Sequence, residues 1–386
     1  MKRLIYLNNA TTSWPKPREV VEEVRKSIAA PLLEPGRGTL YGFNYPAAAR
    51  EALARHFNAE EAENIQFTAN VTDSLNVLIH GFARAQNGRF HAITTELEHN
   101  SVLRPLNTLA RSGKIALTIV PFDERGYVAP ESVARAVRKD TKLAVFTHGS
   151  NVLGTLQKIG KLCGVLSEKG VYSIVDAAQT AGNVKIDLSR LPVDAFAFTG
   201  HKYLYGITGI GGFYVKDPGR IETLRQGGTG SYSENPYQPE RMPLKFEAGT
   251  QNHPGIASVY AGVGFIEKAG LQKIRKKTRS LARSIVSAIG KEENVTVYNR
   301  KPDLPIISFN IRELACDDVG DILGREYGVV SRAGLHCVPL LHKRIDGGRG
   351  CVRLSPSYFN TAWEAKAAGE AVVRIAESAG KMRRRL

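Results

Sequence analysis

The run from Leu143 to Lys202 repeats one pattern three times. Leu143-Ala-Val-Phe146 is followed by Thr147-His-Gly-Ser-Asn151, Val171-Tyr-Ser-Ile-Val175 by Asp176-Ala-Ala-Gln179, and Ala195-Phe-Ala-Phe198 by Thr199-Gly-His-Lys202. Each apolar run is too short for a helix and long enough for a buried strand. The stretch from Lys158 to Lys169 between the first two reads as a helix, and Gly211-Gly-Phe-Tyr-Val215 reads as one more strand. Short apolar strands separated by helical stretches predict a mostly parallel sheet covered on both faces, and hence an α/β fold.

Working outward, Ile65-Gln-Phe-Thr68 reads as another strand, and the segment from Ala69 to Asn76 opens a helix. Residues 225–256 crowd Gly and Pro without a sustained period, which predicts a long loop-rich connection of the kind that usually carries function. Beyond it the sequence predicts a basic helix over about 258–289 and a strand at Ile306–Ile311. A helix from Asp317 to Tyr327 and a closing helix over about 361–380 follow. This is the pattern of a second, smaller α+β unit.

The chain has 386 residues, enough for two or three domains, with ordinary globular proportions of 42% hydrophobic and 23% charged residues. Disordered, collagen-like and coiled-coil classes are therefore excluded. The unusual global number is a formal charge of +16. Its densest runs are Lys273, Arg275, Lys276, Lys277, Arg279, Arg283 and the tail Lys381, Arg383, Arg384, Arg385. A solvated helix face is the plain reading, and an RNA or acidic-protein patch is the sharper one. Four cysteines, with no C-x-x-C pair, make neither a disulfide framework nor a zinc ribbon, and no metal is expected. No apolar run of membrane-spanning length occurs, and the first residues lack the apolar core of a secretory leader. A cytoplasmic protein is the expectation.

In open α/β sheets ligands bind beyond the carboxyl ends of the strands. Here three successive strands end in Asn151, in Asp176 with Gln179, and in Thr199, His201 and Lys202. A lysine for a Schiff base and a carboxylate for a pyridine nitrogen are what pyridoxal phosphate requires. The backbone N–H groups of Val71 and Thr72, with the Thr72 hydroxyl, offer an anion site at a helix start. His99, ahead of another helix, is either a structural histidine or a ring-stacking proton carrier. Cys337, beside His336 and five residues past Arg332, is the candidate nucleophile, because cationic neighbours raise a thiol's thiolate fraction. Cys163, Cys316 and Cys351 read as buried small hydrophobes. Arg353, in the apolar setting Val352-Arg-Leu354, wants a carboxylate partner.

The strings Tyr6-Leu-Asn-Asn-Ala-Thr-Thr12, Glu98-His99, His148-Gly-Ser-Asn-Val-Leu-Gly-Thr155, Val175-Asp-Ala-Ala-Gln179, Thr199-Gly-His-Lys202, Phe246-Glu-Ala-Gly-Thr250 and Arg332-Ala-Gly-Leu-His-Cys337 occur in family order. They resemble the class V aminotransferases and, within these, the cysteine desulfurases of the group II branch and their selenocysteine lyase relatives. The resemblance runs from residue 6 to about 361. It implies a fold type I pyridoxal-phosphate enzyme with a mostly parallel seven-stranded sheet. Residues 14–257 would form the large cofactor domain. Residues 1–13 and 258–386 would form a smaller α+β C-terminal domain carrying Cys337 and Arg353.

The resemblance also implies roles. Lys202 would carry the cofactor, Asp176 would face its ring nitrogen, Gln179 and Asn151 its phenolic oxygen, and His99 its ring. Thr72, Thr199, His201 and the Val71 backbone would hold the phosphate, with Thr250 from the partner subunit of a homodimer. Arg353 would bind the α-carboxylate of L-cysteine, with Asn151 nearby. Cys337 would take the sulfur as a persulfide for a sulfur-acceptor protein, as in iron–sulfur cluster assembly. The sequence departs from the family pattern in an extra residue within Tyr203-Leu-Tyr205, in Val71 where a hydroxyl is common, and at Asn8 and Asn9. Alternatives are a selenocysteine or cystine lyase, another class V aminotransferase, or a basic RNA-binding protein without catalysis. Cys337 argues against the cystine lyase. Lys202, Asp176 and Arg353 argue against the non-catalytic reading.

Overall fold

A computed structural model of the chain describes residues 3–31 and 43–383. In chain order the strands are β1 (Ile5–Tyr6), β2 (Ile65–Thr68), β3 (Phe90–Thr95), β4 (Ile115–Val120), β5 (Thr141–Thr147), β6 (Tyr172–Asp176), β7 (Ala195–Thr199), β8 (Gly211–Val215), β9 (Val295–Val297), β10 (Ile307–Ile311), β11 (Val329–Val330), β12 (Arg332–Gly334) and β13 (Cys351–Leu354). The α-helices are α1 (Arg18–Ala29), α2 (Tyr45–Phe57), α3 (Val71–Arg84), α4 (Asn100–Arg111), α5 (Pro130–Ala136), α6 (Ile159–Ser167), α7 (His253–Ala269), α8 (Leu271–Ile289), α9 (Cys316–Tyr327), α10 (Pro339–Ile345) and α11 (Ala362–Arg383).

The large sheet has seven strands in the order β2-β8-β7-β6-β5-β3-β4. Strands β7, β6, β5, β3 and β4 run parallel, whereas β8 is antiparallel to both its neighbours. The expected mostly parallel α/β sheet is therefore present, with Gly211–Val215 as its reversed member. Apolar clusters lie on both faces, which is why these strands read as continuous hydrophobic runs rather than alternating ones. The carboxyl ends of β5, β6 and β7 lie side by side because those strands pair in register, Thr147 with Asp176 and Asp176 with Ala197.

A second sheet, β12-β13-β10-β9, is antiparallel and has its own core with α8, α9 and α11. Strand β1 pairs in parallel with β11, which brings the segment after Tyr6 back to this unit. The single basic helix expected over 258–289 is two helices. Gly270, at φ 85°, ends α7 and precedes α8. Helix α7 packs on α1 and α2 within the large core.

The α8 stripe Ile274, Thr278, Leu281, Ala282, Ile285, Val286, Ile289 is buried, and Lys273, Lys276, Lys277 and Arg283 are exposed, whereas Arg275 and Arg279 are half-buried beside the stripe. Arg384 and Arg385 of the basic tail lie outside the described residues.

Two glycines let backbone close around the turn after Lys202. A Cβ at Gly182 would lie 2.3 Å from the Tyr203 carbonyl oxygen, and one at Gly262, in α7, would lie 2.0 Å from that of Leu204. The turn itself is closed by Tyr205 N–H to Lys202 O and Gly206 N–H to Gly200 O, at 3.1 and 2.9 Å. Within this turn Tyr203 and Tyr205 are buried, and Tyr205 takes φ 58°.

Candidate active site

A cavity of about 570 Å³ opens over the carboxyl ends of β5, β6 and β7 and reaches the second sheet. Val71, Thr72, His99, Asn151, Asp176, Gln179, Thr199, His201, Lys202, Cys337 and Arg353 all line it. Thr250 does not. It is exposed and lines a separate cavity with Arg50 and Glu247, which form a buried ion pair.

The sheet supplies the ionisable floor. Asp176, the last residue of β6, is buried and accepts the Ala178 N–H at 2.9 Å. Burial raises its pKa, and that hydrogen bond together with Lys202 opposes the rise. Burial is also the largest influence on Lys202 and lowers its pKa to about 8. Asp176 and Cys337 raise it again, and Arg353 and Arg332 lower it further. The site thus weakens the lysine's hold on its proton while placing a buried carboxyl group close by.

Helix starts supply the walls. Asn70 caps α3 and leaves Val71 and Thr72 at the cavity edge. His99 caps α4 through Nδ1, which accepts the Ser101 N–H at 3.0 Å. Burial first, then Lys202, holds its imidazole neutral, with a pKa lowered to about 4. The Ser101 hydroxyl bridges His99 Nδ1 at 2.8 Å and the Thr72 hydroxyl at 2.7 Å. Sequence reading missed Ser101. Its only signal is a hydroxyl two residues past the histidine.

The second sheet supplies a cationic face. Arg332 and Arg353 sit opposite each other on β12 and β13, and both donate to the Thr11 hydroxyl, at 3.2 and 2.9 Å. Arg353 is buried and also donates to the Asn151 carbonyl at 2.9 Å. Among the described residues no carboxylate pairs with either guanidinium. Burial and Arg332 lower the Arg353 pKa to about 10. Asn151 donates to the His336 carbonyl at 2.9 Å, and Asn100 N–H donates to the Cys337 carbonyl at 2.8 Å. These bonds fix the turn in which His336 and Cys337 take φ 48° and 61°, left-handed values that side chains rarely adopt and that concentrate at functional sites. Cys337 is half-buried, whereas Cys163, Cys316 and Cys351 are buried. Burial pushes the Cys163 and Cys351 thiols up to about 12.

The chain's relatives share this architecture. The aminotransferase class-V family profile matches residues 5–367. A probable cysteine desulfurase of Halalkalibacterium halodurans is 32% identical over 89% of this chain and 86% of its own. Another, of Methanothermobacter thermautotrophicus, is 31% identical over 96% of this chain and 94% of its own. Among solved structures, the apo cysteine desulfurase of Thermococcus onnurineus superposes with a TM-score of 0.87 at 27% identity, covering 97% of this chain and 95% of that one. The cysteine desulfurase CsdA of Escherichia coli, in its S-sulfonic acid form, gives 0.88 at 25% identity, covering 97% and 94%. The fold and the matches define a class V aminotransferase, and within that family the chain belongs to the cysteine desulfurases.

The family implies pyridoxal phosphate, and the cavity fits it. Thr199 Oγ1, His201 Nδ1 and Gln179 Oε1 are buried without hydrogen-bond partners. Their positions at the ends of adjacent strands, beside a lysine and a buried carboxylate, match a ligand with a phosphate, a phenolic oxygen and a ring nitrogen.

Proposed function

We propose that this chain takes sulfur from L-cysteine, holds it as a persulfide on Cys337 and releases L-alanine, with pyridoxal phosphate bound at Lys202. The observation carrying this reading is that a half-buried thiol, a lysine of lowered pKa and an arginine without a carboxylate partner share one cavity. When bound, the cofactor supplies an electron sink that labilises the substrate Cα–H and Cβ–S bonds. Thr72, Thr199, His201 and the Val71 N–H would hold its phosphate, aided by Thr250 from a second copy. Asp176 would hold its ring nitrogen, Gln179 and Asn151 its phenolic oxygen, and His99 its face.

The chain's own groups then divide the work. Arg353 binds the substrate carboxylate as a fork, and Thr11 orients both Arg353 and Arg332. Lys202 Nζ, neutral in a large fraction near pH 8, accepts the Cα proton and returns one to Cα after the sulfur has left. The Cys337 thiolate attacks the substrate sulfur. The new S–S bond forms as the Cβ–S bond breaks, and Cβ gains a proton to become the methyl group of alanine. Residues 14–257 would act as the cofactor-holding unit. Residues 1–13 with 258–386 would present Cys337 and Arg353. The persulfide would pass to a sulfur-acceptor protein, for which the basic face of α8 suits an acidic docking surface. Four free cysteines fit a reducing, cytoplasmic setting.

The test is to incubate the protein with L-cysteine and compare it with Cys337→Ala. Loss of persulfide and of alanine turnover in the variant supports the reading. Wild-type alanine and sulfide rates in Cys337→Ala overturn it.

A further inference from the structure

Behind the Cys337 turn lies a group of side chains that the desulfurase chemistry leaves unused. His336, His342 and Cys351 are all buried, and one ligand-type atom from each lies within 4.8 Å of the other two. They come from three places: the turn before Cys337, helix α10, and the first residue of β13.

Each imidazole has one nitrogen engaged and one free. His342 Nδ1 bonds the Asp346 carboxylate at 2.6 Å, and His336 Nε2 bonds the Cys351 carbonyl at 3.0 Å. Both partners are acceptors, so those nitrogens carry the N–H. His342 Nε2 and His336 Nδ1 are then lone-pair atoms, and both are buried without a partner. The Asp346 carboxylate is itself fixed by the Gly348 N–H at 3.0 Å. A histidine whose far nitrogen is held by a carboxylate or carbonyl is the arrangement that orients imidazoles toward metals.

The geometry points to a metal site formed by His336, His342 and Cys351, with Asp346 as a positioning residue. Two imidazoles and a thiolate select a borderline-soft divalent ion, with Zn²⁺ the foremost candidate. Tetrahedral zinc places its nitrogen and sulfur ligands roughly 3.3–3.6 Å apart, so on binding the three side chains close in from the 4.8 Å within which their ligand atoms lie. On entry of the ion the Cys351 thiol gives its proton to solvent, and water completes the coordination. The Cys351 thiolate and Asp346 carboxylate together balance the two positive charges. Such an ion ties the turn carrying Cys337 to α10 and β13.

The spacing of the three ligands follows no standard zinc pattern, and Cys351 taken alone reads as a small hydrophobe. The site becomes visible only when the three elements are packed together.

The test is a cobalt(II) titration of the chelator-treated holoenzyme. The expected result is one ion per chain, with the visible bands of tetrahedral cobalt and a near-ultraviolet thiolate charge-transfer band. Both persist in Cys337→Ala, and the charge-transfer band is absent from Cys351→Ser. Asp346→Asn keeps all three ligands and binds cobalt about 10–100-fold more weakly, which decides the matter should Cys351→Ser not fold. Overturning results are no bands in the wild type, bands lost in Cys337→Ala but kept in Cys351→Ser, or unchanged affinity in Asp346→Asn.

Discussion

Lys202 and Cys337 each depend on what surrounds them more than on what they are. Burial lowers the Lys202 pKa from 10.5 to about 8, so the neutral amine becomes abundant above that lower value. Modification of Lys202 by a small acylating reagent in cofactor-free protein is therefore predicted to rise with pH and level off past about 8. Mass spectrometry of the Lys202 peptide measures this, and a midpoint near 10.5 would show an ordinary solvated lysine. Sequence alone could pair Asp176 with Lys202, because both stand at strand ends. It could not give the sign or cause of the shift, which arises first from burial, with residues as distant in sequence as Arg332 and Arg353 adding to it. Ser101 and Thr11 were illegible for the same reason. A hydroxyl carries no pattern, and its role appears only when Thr72 and His99, or Arg332 and Arg353, come within its reach.

At the scale of elements, three strand ends were readable because buried parallel strands show as apolar runs and loops at their carboxyl ends keep their polar residues. Helix α7 was harder to read. Its Gly-rich sequence resembles the loop before it, and the break at Gly270 is hidden within a longer helical pattern. Its glycines have a structural reason, since Gly262 lets the helix touch the backbone just past Lys202. Gly262→Ala pushes a methyl group into the Leu204 carbonyl and is predicted to destabilise the fold by about 1–3 kcal/mol. Urea unfolding measures the loss. The turn that carries Lys202 moves with that carbonyl, so cofactor retention on dialysis falls in parallel.

At the scale of the whole molecule, the second sheet lends the large one its cations and its thiol, and the cavity lies between them. One role of the family stays out of this cavity within a single chain, because Thr250 sits on an exposed surface elsewhere. The proposed homodimer would resolve this. Sedimentation is predicted to give twice the 42.2 kDa chain mass. Dissociation to monomers, in dilution or by interface substitution, is predicted to release the cofactor, whereas a monomer that retains it would remove the need for Thr250. Under the proposed function the net charge of +16, which first suggests nucleic acid, would serve an acidic sulfur acceptor at the basic face of α8.

The central claim is that Cys337 receives the sulfur. Intact-mass and peptide mapping after a brief exposure of the holoenzyme to L-cysteine tests it most directly. The prediction is one added sulfur atom on the Cys337 peptide, with L-alanine in matching amount and neither in Cys337→Ala. Alanine formed at the wild-type rate with no sulfur on Cys337 would contradict it.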